Sequence, residues 1–166
     1  MSADLAELKA LMLRKPRLTL AVAESLTCGR VQARVGMISG GSEFFLGGIT
    51  TYSLAQKVRH LGVARELAEP VNSVSAAVAE QMARGVCALF GSELGLATTG
   101  YAEPAADWKV AEPFAWWALA HDVGGGRFVV RGGRVDCPGA SRTAVQERVA
   151  DAVVEALVGY LREIRG

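Results

Sequence analysis

Cysteine is scarce in this chain, and that scarcity narrows its chemistry. There are three, Cys28, Cys87 and Cys137, odd in number and far apart, which suits neither a disulfide framework nor the paired spacing of a zinc site. Reduced thiols are expected. Histidine is scarcer still, with His60 and His121 alone, so a metal centre would have to gather scattered ligands and none is expected. Charge of either sign is not in excess: 18 basic and 17 acidic residues leave a net +1, no overall field to steer the chain to nucleic acid or an anionic membrane, and neither is expected as a partner. No apolar run approaches the roughly 20 residues that span a bilayer, and the amino end MSADLAELKALMLRKPR is amphipathic and charged, without a secretory apolar core or cleavage site. A cytoplasmic protein is the expectation. Repeats, linkers and low-complexity segments are absent as well.

What remains is a chain of 166 residues, about half of them hydrophobic, enough for one domain with a sizeable core. Leu5, Leu8, Met12 and Leu13 recur at helical spacing over residues 3–15, and Pro16 stops that helix. The apolar run 18–23 reads as a buried strand and 27–35 as a helix. A second strand is expected in GGITTYS, ending at Tyr52 and Ser53. Helical turns follow over 54–61, then a long amphipathic helix opened by Ser73-Val74-Ser75 and carrying Val78, Met82, Val86 and Phe90. Strands are expected at 94–99, 114–121 and 127–136, the last two joined as an antiparallel hairpin through Gly124, Gly125 and Gly126. From Arg142 a final helix shows Val145, Val149, Val153, Leu157 and Leu161 on one face. The fold class is α/β: a three-layer α/β/α single domain with a mixed sheet.

Three short polar clusters stand at the expected strand ends: AESLTCGR, TTYSLAQK and TTGYAEP. Ligands bind α/β sheets at strand ends, where loops and helix amino ends converge. Ser25 reads either as a helix N-cap or as a hydroxyl nucleophile. A serine needs a base, and two histidines outside the clusters make no convincing triad. Lys57 serves instead if desolvation or nearby positive charge lowers it by several units from roughly 10.4. Tyr52, five residues earlier, would relay or orient the proton. Otherwise Lys57 is a solvated helix residue.

These clusters, in this order and spacing, resemble the family of the CinA carboxy-terminal domain, whose members include nicotinamide-nucleotide amidohydrolases. The first motif is matched by Ala23, Glu24, Ser25, Thr27 and Gly29, and the second by Gly48, Thr51, Tyr52, Ser53, Lys57, Leu61, Gly62 and Val63. Val74-Ser75 opening a helix, and Thr99, Gly100, Ala102 and Pro104, continue the likeness over nearly the whole chain, residues 1–166 as one such domain. The resemblance implies an amidase without a cofactor, acting on nicotinamide mononucleotide or a related amide. Ser25 would attack the amide carbonyl, with Lys57 as base and then acid and Tyr52 assisting. Thr27, Gly29, Thr99 and Gly100 would bind substrate, and Arg142 its phosphate, unless that residue is a surface arginine at a helix start. Backbone N–H groups at the turn and helix start after Ser25 would receive the oxyanion. Partners on this reading are a small nucleotide or amide and, given the apolar strands and tryptophans, further copies of the chain in a homo-oligomer.

The sequence also departs from the family. The glycine run expected after Thr-Gly-x-Ala is missing; Tyr101 and Glu103 intrude, and Glu112-Pro113-Phe114-Ala115 replaces Pro-Val-Gly. A backbone crowded by side chains approaches a ligand less closely, and Glu103 repels phosphate. Leu26 and Cys28 replace Cys and Gly, which makes Cys28 a second nucleophile to weigh, and Gln146 stands where a basic residue often occurs. Trp108 is placed to stack on a flat ring, while Trp116 and Trp117 face opposite sides of a strand. The amino-terminal domain often fused to this one is not in the sequence, so any activity is expected to stand alone. The alternative to an amidase is a non-catalytic nucleotide-binding or regulatory module; a phosphotransferase lacks its phosphate loop here.

Overall fold

Residues 4–166 are described by a computed structural model. Asp4 caps the first helix, α1 (Leu5–Leu13), by accepting from the N–H groups of Ala6 and Glu7; the expected start at Ala3 lies outside the described residues. Strands β1 (Leu20–Glu24), β2 (Phe45–Thr50), β3 (Leu94–Tyr101), β4 (Phe114–Asp122) and β5 (Phe128–Asp136) form one sheet in the order β2-β1-β3-β4-β5. β1 runs parallel to β2 and β3, whereas β4 is antiparallel to both β3 and β5. The sheet is mixed, as expected.

Alternation along the central strands sends side chains to two cores. Leu20, Val22, Leu94, Leu96 and Leu119 join α1, α2 (Arg30–Gly36) and α6 (Arg142–Arg165) on one face. Ala21, Ala23, Ala97, Ala118 and Ala120 meet α3 (Leu54–Leu61) and α5 (Ala76–Phe90) on the other. The second face is made of small residues, so α5 lies very close: a Cβ at Gly95 would come 2.2 Å from the Ala83 carbonyl. Trp117 packs on the first core and Trp116 on the second.

Several boundaries differ from the sequence expectation, and one element is added. α2 begins at Arg30 rather than Thr27, because Cys28 (φ 46°) and Gly29 (φ 91°) take left-handed conformations that a helix cannot contain. β2 starts at Phe45 and stops at Thr50, so Tyr52 lies beyond the strand and Ser53 caps α3, accepting from Gln56 N–H. A one-turn helix, α4 (Arg65–Ala68), fills a stretch with no expected element.

β1 has its parallel neighbours on opposite sides, and the connections leaving β1 and β2 run to opposite faces of the sheet. Their divergence opens a crevice at the carboxyl ends of the parallel strands, where α/β sheets bind ligands.

Candidate active site

Each polar cluster reaches this crevice from a different strand. Ser25 follows β1 directly; its N–H donates to the Thr98 carbonyl (3.1 Å) and its carbonyl accepts from Cys28 N–H (3.1 Å), closing a tight turn. Lys57 comes from α3, whose inward face at i, i+4 spacing consists of Lys57 and Leu61. That spacing makes a lysine part of the wall. It is 2 % exposed.

Lys57 Nζ lies 3.0 Å from Ser25 Oγ and donates to the carbonyls of Thr51 (2.8 Å) and Tyr52 (3.2 Å). No carboxylate pairs with it among the described residues. Burial pushes its pKa down to about 8, because removing the ammonium from water costs more than the carbonyl oxygens return. Ser25 and Lys57 share a cavity of about 640 Å³ with Leu26, Thr99, Gly100 and Arg142.

Under the serine lies a buried scaffold for which the sequence reading assigned no role. Glu24, fully buried, accepts through Oε2 from Gly29 N–H (3.0 Å), Val31 N–H (3.1 Å) and the Thr27 hydroxyl (2.5 Å), and through Oε1 from Gln32 N–H (2.8 Å). A carboxylate at a helix amino end satisfies orphan donors and the helix dipole together. Since Thr27 Oγ1 spends its proton on Glu24, Thr98 must donate in the 2.8 Å contact between their hydroxyls. An acid immediately before a turn and helix was the signal available for Glu24. Gln146, also buried, donates from α6 to the Leu26 carbonyl (2.8 Å).

Several expected roles are corrected by these positions. Thr27 and Gly29 do not line the cavity: the hydroxyl of one and the N–H of the other are held by Glu24 beneath it. Of the N–H groups at the turn and helix start expected to receive an oxyanion, those of Gly29, Val31 and Gln32 are taken by Glu24, which leaves those of Leu26 and Thr27 in the turn without an acceptor among the described residues. Tyr52 touches Lys57 through its carbonyl; the residue is 54 % exposed and its hydroxyl accepts from Arg142 Nη2 (2.7 Å), away from the amine. Ser25 is not the N-cap of α2, a position held by Gly29. Cys28 is exposed and outside the cavity lining.

Thr99 and Gly100 do line the cavity. Thr99 Oγ1 donates to the Ser73 carbonyl (2.6 Å), holding a segment in which Asn72 and Ser73 have φ of 50° and 60°. Gly100 lets β4 approach, since a Cβ there would sit 2.5 Å from the Phe114 carbonyl. Arg142, the first residue of α6, lies at the rim with Nη1 on Glu103 Oε1 (2.8 Å). The altered loop is an ordered turn closed by paired Ala105–Val110 backbone bonds, and Trp108 from it lines the cavity. Among the described residues, no cluster of three or more His, Cys, Asp or Glu side chains is placed to hold a metal, and no helix is long and apolar enough to cross a membrane.

The family model of the CinA C-terminal domain matches residues 2–161. A Clostridium acetobutylicum protein named as competence-damage inducible is 35 % identical over 144 residues, covering 87 % of this chain and 34 % of that protein. A CinA-like protein of Geotalea daltonii is 45 % identical over 93 residues, 56 % of this chain and 22 % of its own length. The chain thus spans about a third or less of these curated relatives. Among solved structures, the competence damage-inducible protein A of Klebsiella pneumoniae superposes with a TM-score of 0.83 at 27 % identity, covering 95 % of this chain and 94 % of that one.

Proposed function

This chain belongs to the CinA C-terminal domain family, and from that premise we propose that it is an amidohydrolase that cleaves the carboxamide of nicotinamide mononucleotide or a related amide to the carboxylate and ammonia. The observation that carries the reading is a desolvated amine, Lys57 Nζ, 3.0 Å from the hydroxyl of Ser25 in a cavity wall.

A neutral amine has two N–H bonds and one lone pair. The Thr51 and Tyr52 carbonyls accept both N–H groups, which leaves the lone pair for Ser25 Oγ–H. As Oγ attacks the amide carbon, its proton passes to Lys57; the ammonium then protonates the leaving nitrogen, and ammonia departs from an acyl-serine. Water adds to that ester with Lys57 again taking the proton, and Oγ recovers it as the carboxylate leaves. With a pKa of about 8, about one amine in ten is neutral at pH 7, against fewer than about one in a thousand for an ordinary lysine. The unclaimed N–H groups of Leu26 and Thr27 are the available oxyanion donors, each worth about 3 kcal/mol where geometry allows.

The test is ammonia release from the mononucleotide, nicotinamide and simple amides. Ser25→Ala and Lys57→Met should each lower kcat by about 10³ or more while the unfolding transition persists. Turnover that survives Ser25→Ala overturns the assignment. One observation favours the second reading, a non-catalytic nucleotide-binding module: Arg142, the expected phosphate ligand, is paired with Glu103. That reading predicts stabilisation by nucleotide, about 2.7 kcal/mol at a hundred times its Kd, with no ammonia from any amide.

A further inference from the structure

Besides Lys57, Arg142 is the one side-chain cation among the described residues lining the cavity, and its guanidinium is committed. Nη1 donates to Glu103 and Nη2 to the Tyr52 hydroxyl, so one arginine links the segments after β2 and β3 to the start of α6 across the rim. A phosphate arriving there must displace the Glu103 carboxylate or sit beside it. Glu69 also lines the cavity and has no ion-pair partner among the described residues. In the reactive form, with Lys57 neutral, two carboxylates, Glu69 and Glu103, stand against one guanidinium in the cavity lining. Tyr101 and Trp108 add aromatic surface to the same walls, and aromatic faces and carboxylates both favour a flat cation over an anion.

We propose that the Glu103–Arg142–Tyr52 linkage makes this site select a planar, cationic carboxamide without a phosphate, the riboside class rather than the mononucleotide. The inference rests on the amidohydrolase reading and narrows its substrate. Glu103 is its specificity determinant: it neutralises the arginine that a phosphate would use, which leaves Glu69 as the unpaired carboxylate of the cavity lining.

Two amides that differ only in their 5′-phosphate, nicotinamide riboside and nicotinamide mononucleotide, test this by kcat/KM in the wild-type protein and in Glu103→Gln. The riboside should be preferred by roughly tenfold, the scale of one or two partly screened charge contacts, and Glu103→Gln, which releases Arg142, should bring the ratio close to one or below. A wild-type preference for the mononucleotide, or a ratio unmoved by Glu103→Gln, overturns the proposal while leaving the amidase intact. If neither compound releases ammonia, calorimetric titration of Ser25→Ala decides selection separately, and the amidase reading fails only if the other amides are silent as well. Tighter riboside binding supports it; equal or absent binding refutes it.

Discussion

One buried amine sets two pH dependences of the same sign. Turnover needs Lys57 neutral, so kcat should rise with pH through about 8 and then level. Stability follows by linkage: the folded pKa of about 8 lies below an unfolded value of roughly 10.4. Between these the unfolded chain holds a proton that the folded one has released, so unfolding free energy climbs with pH by about 3 kcal/mol across the window, and below it the whole cost of burying the ammonium remains. Urea midpoints from about pH 7 to about pH 10 should show this slope in wild type and a flatter one in Lys57→Met; equal slopes would contradict it. Ser25 and Lys57 were legible as residues because their types, spacing and strand-end positions agreed. The task of Glu24 was not, since a sequence displays a carboxylate beside a serine but not the turn that swings three N–H groups onto it. Tyr52 misled for a related reason: the group reaching Lys57 is a carbonyl, which any residue would supply.

Secondary-structure elements carry the site's precision. α3 brings Lys57, and its last residue, Leu61, packs on α5 where a Cβ at Gly85 would lie 2.0 Å from the Leu61 carbonyl. Gly85→Ala should therefore push α3 outward, lowering kcat by about a hundredfold or more through misplacement of the amine, a loss beyond its cost in stability. Normal kcat in that variant would show that α3 position is not critical. On the opposite side, Glu24→Ala orphans the start of α2 and should cost about 3 kcal/mol or more in urea unfolding; a change under about 0.5 kcal/mol would deny the carboxylate its role. The long helices and central strands were readable because periodicity and burial coincide in them. The start of α2 was not, because Cys28 adopts a left-handed conformation that its residue type does not announce. α4 was missed because four residues make too short a pattern.

Across the whole molecule, two cores on either side of one sheet hold three loops in register. α6 is the largest contributor to one of them, and it also reaches the site through Arg142 and Gln146. Removing 153–166 would strip Val153, Val154, Leu157, Val158, Tyr160 and Leu161 from that core. At about 1.5–3 kcal/mol for each buried side chain, the loss exceeds or matches the stability of an ordinary domain. The truncated chain should show no cooperative transition by circular dichroism, and a sharp one would mean that α6 is dispensable. A single domain with a mixed sheet was legible from the alternation of elements, but strand order was not. Nothing in β1 or β3 states that they are neighbours, yet that adjacency brings AESL beside TTGY.

The most direct test is a titration of lysine side chains labelled with ¹³C at Cε, in a chain whose four lysines are Lys9, Lys15, Lys57 and Lys109. One resonance, absent in Lys57→Met, should titrate near 8. If the Lys57 resonance titrates instead at the unperturbed lysine value of roughly 10.4, no neutral base stands beside Ser25 near neutral pH, and the proposed chemistry fails.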